Sequence, residues 1–358
     1  MRRVLIVLLS TASTLFAVAG FGLLFLPSAR AAGPHQLEVR GAALAHAMRG
    51  NGGYGSDACR KQLAAIAAIG GNWISITDFA FMQAVDQPSV RYGVGRSAEG
   101  RGIPQTIQDA HAAGLKVLLK PHLWSRDFGG NKKWNGDIKM TGDTDWDEWF
   151  KQYGAYVLSQ AKIAAEYKAE ALSVGCELEG TSVTQEKHWR QLIADVRKVY
   201  GGFVIYSAAF AEWDKVPWWD AVDCIGIDAY LPLTDVPDAT EDQLRAAWTR
   251  IYDNQIGPFQ KKWNKPICFT ELGYTASIKA AAQPWAYGVE QPSLAYQARL
   301  YKVALAEAAK RDYIRGVFVW KWFTTDQASA DPQRGDPFAI QNRPEVVAAI
   351  REGFGKGR

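Results

Sequence analysis

The sequence is poor in the residues that build metal sites and disulfide frameworks. It has four cysteines and five histidines among 358 residues, and they form no HExxH or CxxC motif. This scarcity excludes the common zinc sites and a small disulfide-stapled scaffold, and we expect neither a metal nor an organic cofactor. Because Cys176, Cys224 and Cys268 lie in apolar, strand-like runs, we interpret the cysteines as buried thiols.

Charge of one sign is also scarce. The formal net charge is +4 at pH 7, and no run of basic residues stands out. Proteins that bind nucleic acid usually carry a basic stripe or patch, so we expect no nucleic-acid partner.

Long apolar runs are missing as well, except at the N-terminus. Arg2 and Arg3 precede an apolar run from Val4 to Leu26, and Ala29 and Ala31 form a small-residue cleavage signature. Residues 1–31 are therefore predicted to be a signal peptide, or an uncleaved membrane anchor because the run is longer than usual. Either segment predicts a secreted or periplasmic protein whose membrane contact, if any, is through this segment alone.

Aromatic residues, by contrast, are plentiful, with 14 Trp, 14 Tyr and 15 Phe. Tryptophan is demanding in a generic core because its indole N–H needs a hydrogen-bond partner. An excess of such side chains either packs a large barrel against its helices or lines a groove that stacks on sugar rings. For the cluster of Trp213, Trp218 and Trp219 we favour packing over distal sugar subsites.

Short apolar strands alternate with helical segments over residues 37–355. The predicted strands are 37–45, 73–81, 116–124, 171–179, 203–210, 224–231, 266–274 and 316–323. Eight strand–helix pairs predict an α/β fold, a single-domain (β/α)8 TIM barrel. The alternative, a doubly wound open sheet, usually has fewer strands and, for nucleotide binding, a glycine-rich first turn that is missing here.

Polar and aromatic residues accumulate where these strands end, which is where barrels carry their functional groups. The fourth strand ends with Glu177 and Glu179, and Glu271 is the only acid on the seventh. By strand alternation Cys176 faces the helices, whereas Glu177 and Glu179 face the barrel axis. Two carboxyl groups at one barrel mouth suit glycosidic bond cleavage, one protonating the leaving oxygen and one attacking or activating water.

Two other interpretations of these acids stay open. Glu179 competes with Glu177, but it lies one pleat further out and is expected at the rim. Glu271 could instead form only a salt bridge inside the barrel, with Lys120 or Lys321.

Several segments, in the same order along the chain, resemble glycoside hydrolase family 113. They include LLKPH (118–122), DWDEWFKQY (145–153), VGCELEGT (174–181), IGIDAYLPL (225–233) and FTELGY (269–274). The resemblance extends from about residue 41 to about residue 325. It implies a β-1,4-mannanase of the retaining clan A.

The resemblance also implies residue roles. In this clan the acid/base follows the fourth strand and the nucleophile follows the seventh, which implies Glu177 and Glu271 as the catalytic pair. Tyr230 matches the tyrosine that hydrogen-bonds the nucleophile. The asparagine that usually precedes the acid/base is Cys176 here, so its contact with the sugar 2-hydroxyl must be absent or come from another residue.

Further residues at the same strand ends are candidates for sugar binding. Trp320 or Trp322 matches the aromatic floor of the −1 subsite in the clan, and strand position adds the others. The full substrate-binding set is His122, Trp124, Tyr206, Asp228, Tyr230, Trp320, Trp322 and Glu179. For individual members, a supporting hydrogen bond is the alternative to a sugar contact.

The sequence as a whole predicts a monomeric, retaining, endo-acting hydrolase of β-1,4-linked polysaccharide, with mannan as the first substrate. Its expected partner is an oligo- or polysaccharide. One alternative is a hydrolase of another β-linked polymer, such as an exopolysaccharide. The other is a non-catalytic glycan-binding barrel, against which the intact acid pair argues because binding alone would not require both acids.

Overall fold

The fold is built on a closed barrel of eight parallel strands, counted over the residues that the computed structural model describes. Those residues are 36–46, 52–93, 102–130, 133–326 and 329–355, and they belong to one compact unit, residues 31–358. The predicted signal peptide or anchor, residues 1–31, lies outside the described residues.

The strands run in chain order from β1 to β11. Their bounds are β1 Val39–Ala45, β2 Trp73–Ile76, β3 Phe79–Met82, β4 Val90–Arg91, β5 Lys116–Leu119, β6 His122–Ser125, β7 Ala171–Cys176, β8 Phe203–Ala209, β9 Cys224–Asp228, β10 Ile267–Gly273 and β11 Ile314–Phe323. Around the barrel the order is β1, β2, β5, β7, β8, β9, β10 and β11, with β11 closing against β1. This sequential order of parallel strands is that of the predicted (β/α)8 barrel.

Helices lie between the barrel strands. Their bounds are α1 Asp57–Ala68, α2 Ile103–Ala112, α3 Asp127–Gly130, α4 Asp143–Glu166, α5 Glu179–Ser182, α6 Glu186–Val199, α7 Glu241–Ile251, α8 Gly257–Trp263, α9 Leu294–Ala308 and α10 Pro344–Phe354. Polar side chains cap several of them: Ser56 accepts from the backbone N–H of Cys59, and Ser293 accepts from that of Tyr296. No helix within the described ranges combines the length and apolar character needed to cross a membrane.

The second and third predicted strands are each divided in two. The first halves, β2 and β5, belong to the barrel, whereas the second halves, β3 and β6, pair with each other and with β4 in a separate sheet. Pro121 lies at the break after β5, and its missing N–H cannot continue a ladder of hydrogen bonds. We call the β4-β3-β6 sheet the side sheet.

The helical segment over residues 241–263 contains a π-helical turn, Tyr252–Ile256, between α7 and α8. Pro258 follows in the first turn of α8. Because proline has no N–H and its ring clashes with the preceding turn, a regular α-helix cannot pass through this point without adjustment.

The tryptophan cluster packs between the barrel and its helices. Trp213, Trp218 and Trp219 are buried, and the indoles of Trp218 and Trp219 donate to the carbonyl oxygens of Ser182 and Trp213. The packing interpretation is therefore confirmed. All four cysteines are buried and free, which confirms the interpretation of Cys176, Cys224 and Cys268 as buried side chains.

Candidate active site

A cavity of about 1660 Å³ opens at the carboxyl ends of the barrel strands. Its floor includes Glu177 after β7, Tyr230 after β9, Glu271 on β10 and Trp320 on β11. Pockets for a single small molecule have volumes of roughly 300–1,000 Å³, so this cavity has room for a longer ligand.

Glu271 is held at both carboxylate oxygens. The Lys120 ammonium lies 2.5 Å from Oε1, and the Tyr230 hydroxyl donates to Oε2 at 2.6 Å. The register of β10 shifts between Phe269 and Leu272, a β-bulge that lets Thr270 and Glu271 both face the barrel interior. Two donors on one carboxylate favour its ionised form.

Glu177 is held differently. It directly follows β7 with φ +56°, in the left-handed region, and its backbone N–H donates to the carbonyl oxygen of Ser207 at 2.8 Å. This conformation is uncommon for a residue with a side chain and is often found at functional sites. Among the described residues, the half-buried Glu177 carboxyl has no hydrogen-bond partner, so it faces the cavity alone.

The pKa values of both carboxyl groups are raised, but hydrogen bonds oppose the rise only at Glu271. Burial raises the pKa of Glu271 to about 7 and Asp228 adds to the rise, whereas Lys120 and Tyr230 act against it. Burial, Asp228 and Glu271 raise the pKa of Glu177 well above its ordinary value, against the charge of Lys120. Glu177 is therefore suited to carry a proton while Glu271 ionises.

A buried ion pair lies beneath these acids. The Lys120 ammonium is 3.0 Å from both carboxylate oxygens of Asp228 as well as 2.5 Å from Glu271. The salt bridge between Glu271 and Lys120, one of the alternatives considered from the sequence, is therefore present. Glu271 also lines the cavity, so this salt bridge is not its only role. Asp228 was predicted to bind sugar, but it is fully buried below the cavity and does not line it.

Cys176 faces the same interior, although strand alternation predicts it against the helices. Its thiol donates to Asp228 at 3.4 Å, because the register of β7 shifts between Ser173 and Cys176. With its neighbours it forms two triads of possible metal ligands, His122, Cys176 and Glu271, and Cys176, Glu177 and Asp228. Burial raises the pKa of the Cys176 thiol well above its ordinary value, which suits its role as a donor to Asp228.

A match to a protein-family model shows which family has this arrangement of residues. The model of Glycoside Hydrolase Family 113 matches residues 45–343 of the chain. The chain belongs to this family. The resemblance of the sequence motifs is thereby confirmed, and the protein is a glycoside hydrolase.

Solved structures of the family are similar over almost the whole length. A β-1,4-mannanase of family 113, solved as a complex, is 26% identical, with a TM-score of 0.78 over 90% of this chain and 100% of the other. The β-mannanase AaManA from Alicyclobacillus acidocaldarius, in complex with ManMIm, is 27% identical, with a TM-score of 0.76 over 89% and 97%. A β-glucuronidase from Ruminococcus gnavus, 13% identical with a TM-score of 0.61 over 90% of this chain and 51% of the other, shares the fold alone. No curated protein sequence matches significantly.

Three of the predicted sugar-binding residues line the cavity of the family 113 hydrolase beside Tyr230. These are His122, Trp124 and Trp320. Nε2 of His122 lies 4.0 Å from Oε1 of Glu271. This nitrogen is buried and has no hydrogen-bond partner among the described residues. Burial and the charge of Lys120 lower the pKa of His122 well below its ordinary value. The imidazole is therefore neutral, and its ring lines the cavity beside Glu271.

Tyr206 and Trp322 do not reach the cavity. Tyr206 is fully buried beside Trp189 and Trp218, and its hydroxyl donates to Glu212 at 2.5 Å. The same hydroxyl accepts from the backbone N–H of Leu178 at 2.9 Å and so holds the segment that follows Glu177. The prediction of a sugar contact for Tyr206 is corrected to this supporting role.

Trp322 faces the helix layer instead of the sugar site. Its indole donates to Gln62 on α1 at 2.8 Å. The pairing of β1 with β11 shifts between Ala42 and Leu44, and this bulge breaks the alternation that predicted Trp320 and Trp322 on one face. Of the two, Trp320 lines the cavity.

Glu179 lies outside the cavity lining. It begins α5, and its carboxylate accepts from Lys215 at 2.6 Å. An exposed pair of this kind contributes little to stability and leaves Glu177 as the acid that faces the cavity.

Two further charged features of the hydrolase cavity were not predicted to bind sugar, although Lys321 was considered as a salt-bridge partner of Glu271. Asp78 accepts from Gln160 at 2.8 Å, and burial raises its pKa to about 6. Lys321 pairs with Asp336 at 2.7 Å. The position of Asp78 at the end of a predicted strand could be seen in the sequence. The pairing of Lys321 could not, because its partner Asp336 lies in a loop after the last strand.

The hydroxyl of Tyr230 gives a first testable expectation. In Tyr230→Phe, Glu271 loses a donor that favours its ionised form, so its pKa rises further. Because the reaction needs ionised Glu271, the acidic limb of kcat/KM should move up by about one pH unit. Tyr92→Phe, an exposed tyrosine outside the cavity lining, is the matched control and should leave the profile unchanged. An unshifted acidic limb in Tyr230→Phe would contradict the coupling.

Proposed function

We propose that this hydrolase cleaves β-1,4-linked mannan within the chain, by double displacement with retention of the anomeric configuration. The observation that carries the proposal is the asymmetry of the two acids at the cavity floor. Glu271 receives two hydrogen bonds, and Glu177 faces the cavity without one. The β-1,4-mannanase structures that are 26–27% identical to this chain support the choice of mannan.

In the first step a carboxylate oxygen of Glu271 attacks the anomeric carbon of the bound sugar. The glycosidic C–O bond breaks, and the leaving oxygen takes the proton of Glu177. The product is a glycosyl ester on Glu271, with Glu177 now ionised. Loss of the Glu271 charge leaves Lys120 paired with Asp228, so the ammonium is not left without a partner.

In the second step Glu177 removes a proton from water. The water oxygen bonds to the anomeric carbon, and the ester bond to Glu271 breaks. Glu177 regains its proton and Glu271 its negative charge. The raised pKa of Glu177 suits both duties, since the group must hold a proton in one step and accept it in the other.

The shape of the cavity supports cleavage at internal bonds of a polymer chain. Four exposed aromatic residues within the described ranges line it: Trp124, Trp134, Trp285 and Tyr287. Trp285 stacks on Phe210 at a ring distance of 4.7 Å, while Trp124 lies on the side sheet. Aromatic surfaces distributed in this way can hold several consecutive sugars of one chain.

The substrate is tested by incubating the purified protein with β-1,4-mannan, β-1,4-glucan and xylan and analysing the products. We expect mannan to yield a series of short oligosaccharides, with the β-anomer formed first in NMR spectra. Initial release of the α-anomer would contradict retention. Cleavage of glucan or another β-linked polymer in place of mannan would favour the alternative substrate, an exopolysaccharide.

A further inference from the structure

The side sheet presents one face to the cavity. Its strands alternate between buried residues and residues that are half-buried or exposed. The second group, all on the cavity face, consists of Phe79, Phe81 and Gln83 from β3 and its end, Arg91 from β4, and His122, Trp124 and Arg126 from β6 and its end. This face thus forms a continuous wall that begins beside the catalytic floor.

The strand register fixes where each side chain lies on this wall. Phe81 is opposite Arg91 on one side and opposite Trp124 on the other. The rings of Phe81 and Trp124 are 5.9 Å apart at an angle of 61°, so Phe81 lies edge-on beside the indole, which is 39% exposed. Arg126 lies two residues beyond Trp124 on the same face, and its backbone N–H continues the ladder to Met82. An aromatic platform, the exposed Trp124 indole with Phe81 edge-on beside it, is therefore flanked by two arginines.

The two arginines differ from the other charged groups in the cavity. Both are exposed, and no acidic side chain within the described ranges pairs with either of them. In contrast, Lys321 is paired with Asp336, and Lys120 below the floor is paired with Glu271 and Asp228. The cavity is thus acidic at its floor and carries unpaired positive charge along the side sheet.

We propose that this wall is a subsite for a uronic acid residue of the polysaccharide, with the sugar ring stacked on Trp124 beside the edge of Phe81 and its carboxylate on Arg91 or Arg126. The inference rests on the proposed function and refines the substrate to an acidic β-glycan. A ring stacked on the platform directs its exocyclic carboxylate sideways, towards the platform edges where the arginines lie. The guanidinium fork matches the two oxygens of a carboxylate.

The subsite is distant from the bond that is cleaved. His122 is 4.0 Å from Glu271, and Arg126 follows His122 by four residues on the same face. Four residues of extended strand span about 13 Å, so the acidic sugar would bind beyond the sugars at the cleavage site. Its charge is therefore expected to act on substrate binding rather than on the chemical step.

The test compares a glucuronic-acid-substituted β-1,4-mannan with the same polymer after chemical reduction of its carboxyl groups. We expect kcat/KM to be about tenfold higher for the acidic polymer, with the difference in KM. Arg91→Gln and Arg126→Gln should reduce this preference by lowering kcat/KM more on the acidic polymer than on the reduced one. Arg250→Gln removes an exposed arginine of α7 outside the cavity and should keep the preference. Higher ionic strength should weaken it.

Equal kcat/KM on the two polymers would overturn the inference, as would arginine variants that lose activity equally on both. If neither polymer is cleaved, the mannan proposal fails, and binding to the Glu271→Gln variant measured by calorimetry still decides the subsite. Preferential binding of the acidic polymer that is lost in Arg91→Gln and Arg126→Gln supports the inference in that case, and equal binding overturns it.

Discussion

Replacing Glu271 with alanine is expected to lower kcat on mannan by a factor on the order of 10⁴ or more, with little change in the affinity for oligosaccharide. The variant has no group that can form the glycosyl ester, and losses of this size are typical when a nucleophile is removed. The fold should survive, because Lys120 keeps both contacts with Asp228 at 3.0 Å. Binding of oligosaccharide, measured by calorimetry, then separates lost chemistry from lost structure.

The matched control is Glu290→Gln, in the segment that follows the same strand. Its side chain is 70% exposed and pairs with Lys279 at the surface, so activity should stay near that of the parent protein. Azide offers a second readout, since a small anion in the space left by Glu271 can attack an activated aryl glycoside and give the α-glycosyl azide. Activity on mannan that survives Glu271→Ala would refute the assignment of the nucleophile.

The barrel and its acids could be predicted from the sequence because the relevant signals are local. Each barrel strand is a short apolar run followed by a helix, and this pattern reports burial on both faces. Glu271 stands out because it is the only acid in the seventh predicted strand. Strand ends meet at one edge of the barrel, so Glu177 and Glu271 could be expected together although 94 positions separate them in the sequence.

The orientation of individual side chains was less predictable. Bulges in β7, in β10 and between β1 and β11 shift the alternation of inward and outward residues. A bulge depends on the partner strand, so period-two counting along one strand does not detect it. For this reason Cys176 faces Asp228 rather than the helices, and Trp322 faces α1 rather than the sugar site.

The side sheet could not be predicted from the sequence, for a related reason. Its strands β3 and β6 continue two predicted barrel strands, but they leave the barrel and pair with each other and with the two-residue strand β4. A sequence pattern can predict that a strand exists, but it does not show which strand it pairs with. The placement of Arg91 beside Phe81 follows from that pairing alone, and with it the proposed acidic-sugar subsite.

Replacing Glu177 with alanine is expected to affect substrates according to their leaving group. Mannan needs a proton on the departing oxygen, so kcat should fall by about 10²–10⁴-fold. An aryl mannobioside with a nitrophenolate leaving group needs no proton, and its first step should proceed at nearly the parent rate. Hydrolysis of the glycosyl ester then lacks its base, so a burst of nitrophenol followed by slow turnover is expected.

Two further readouts identify Glu177 as the proton carrier. Because its pKa is raised, the parent enzyme should lose kcat/KM on mannan as the pH rises through that pKa, and Glu177→Ala should lack this alkaline limb. Azide needs no base, so it should restore turnover of the aryl substrate and give the β-glycosyl azide. Glu179→Gln is the matched control, an acid two residues away that pairs with Lys215. If Glu179→Gln loses activity on mannan while Glu177→Ala keeps it, Glu179 is the proton donor and Glu177 is not. Removal of the proton donor must affect the substrate with the poorer leaving group most.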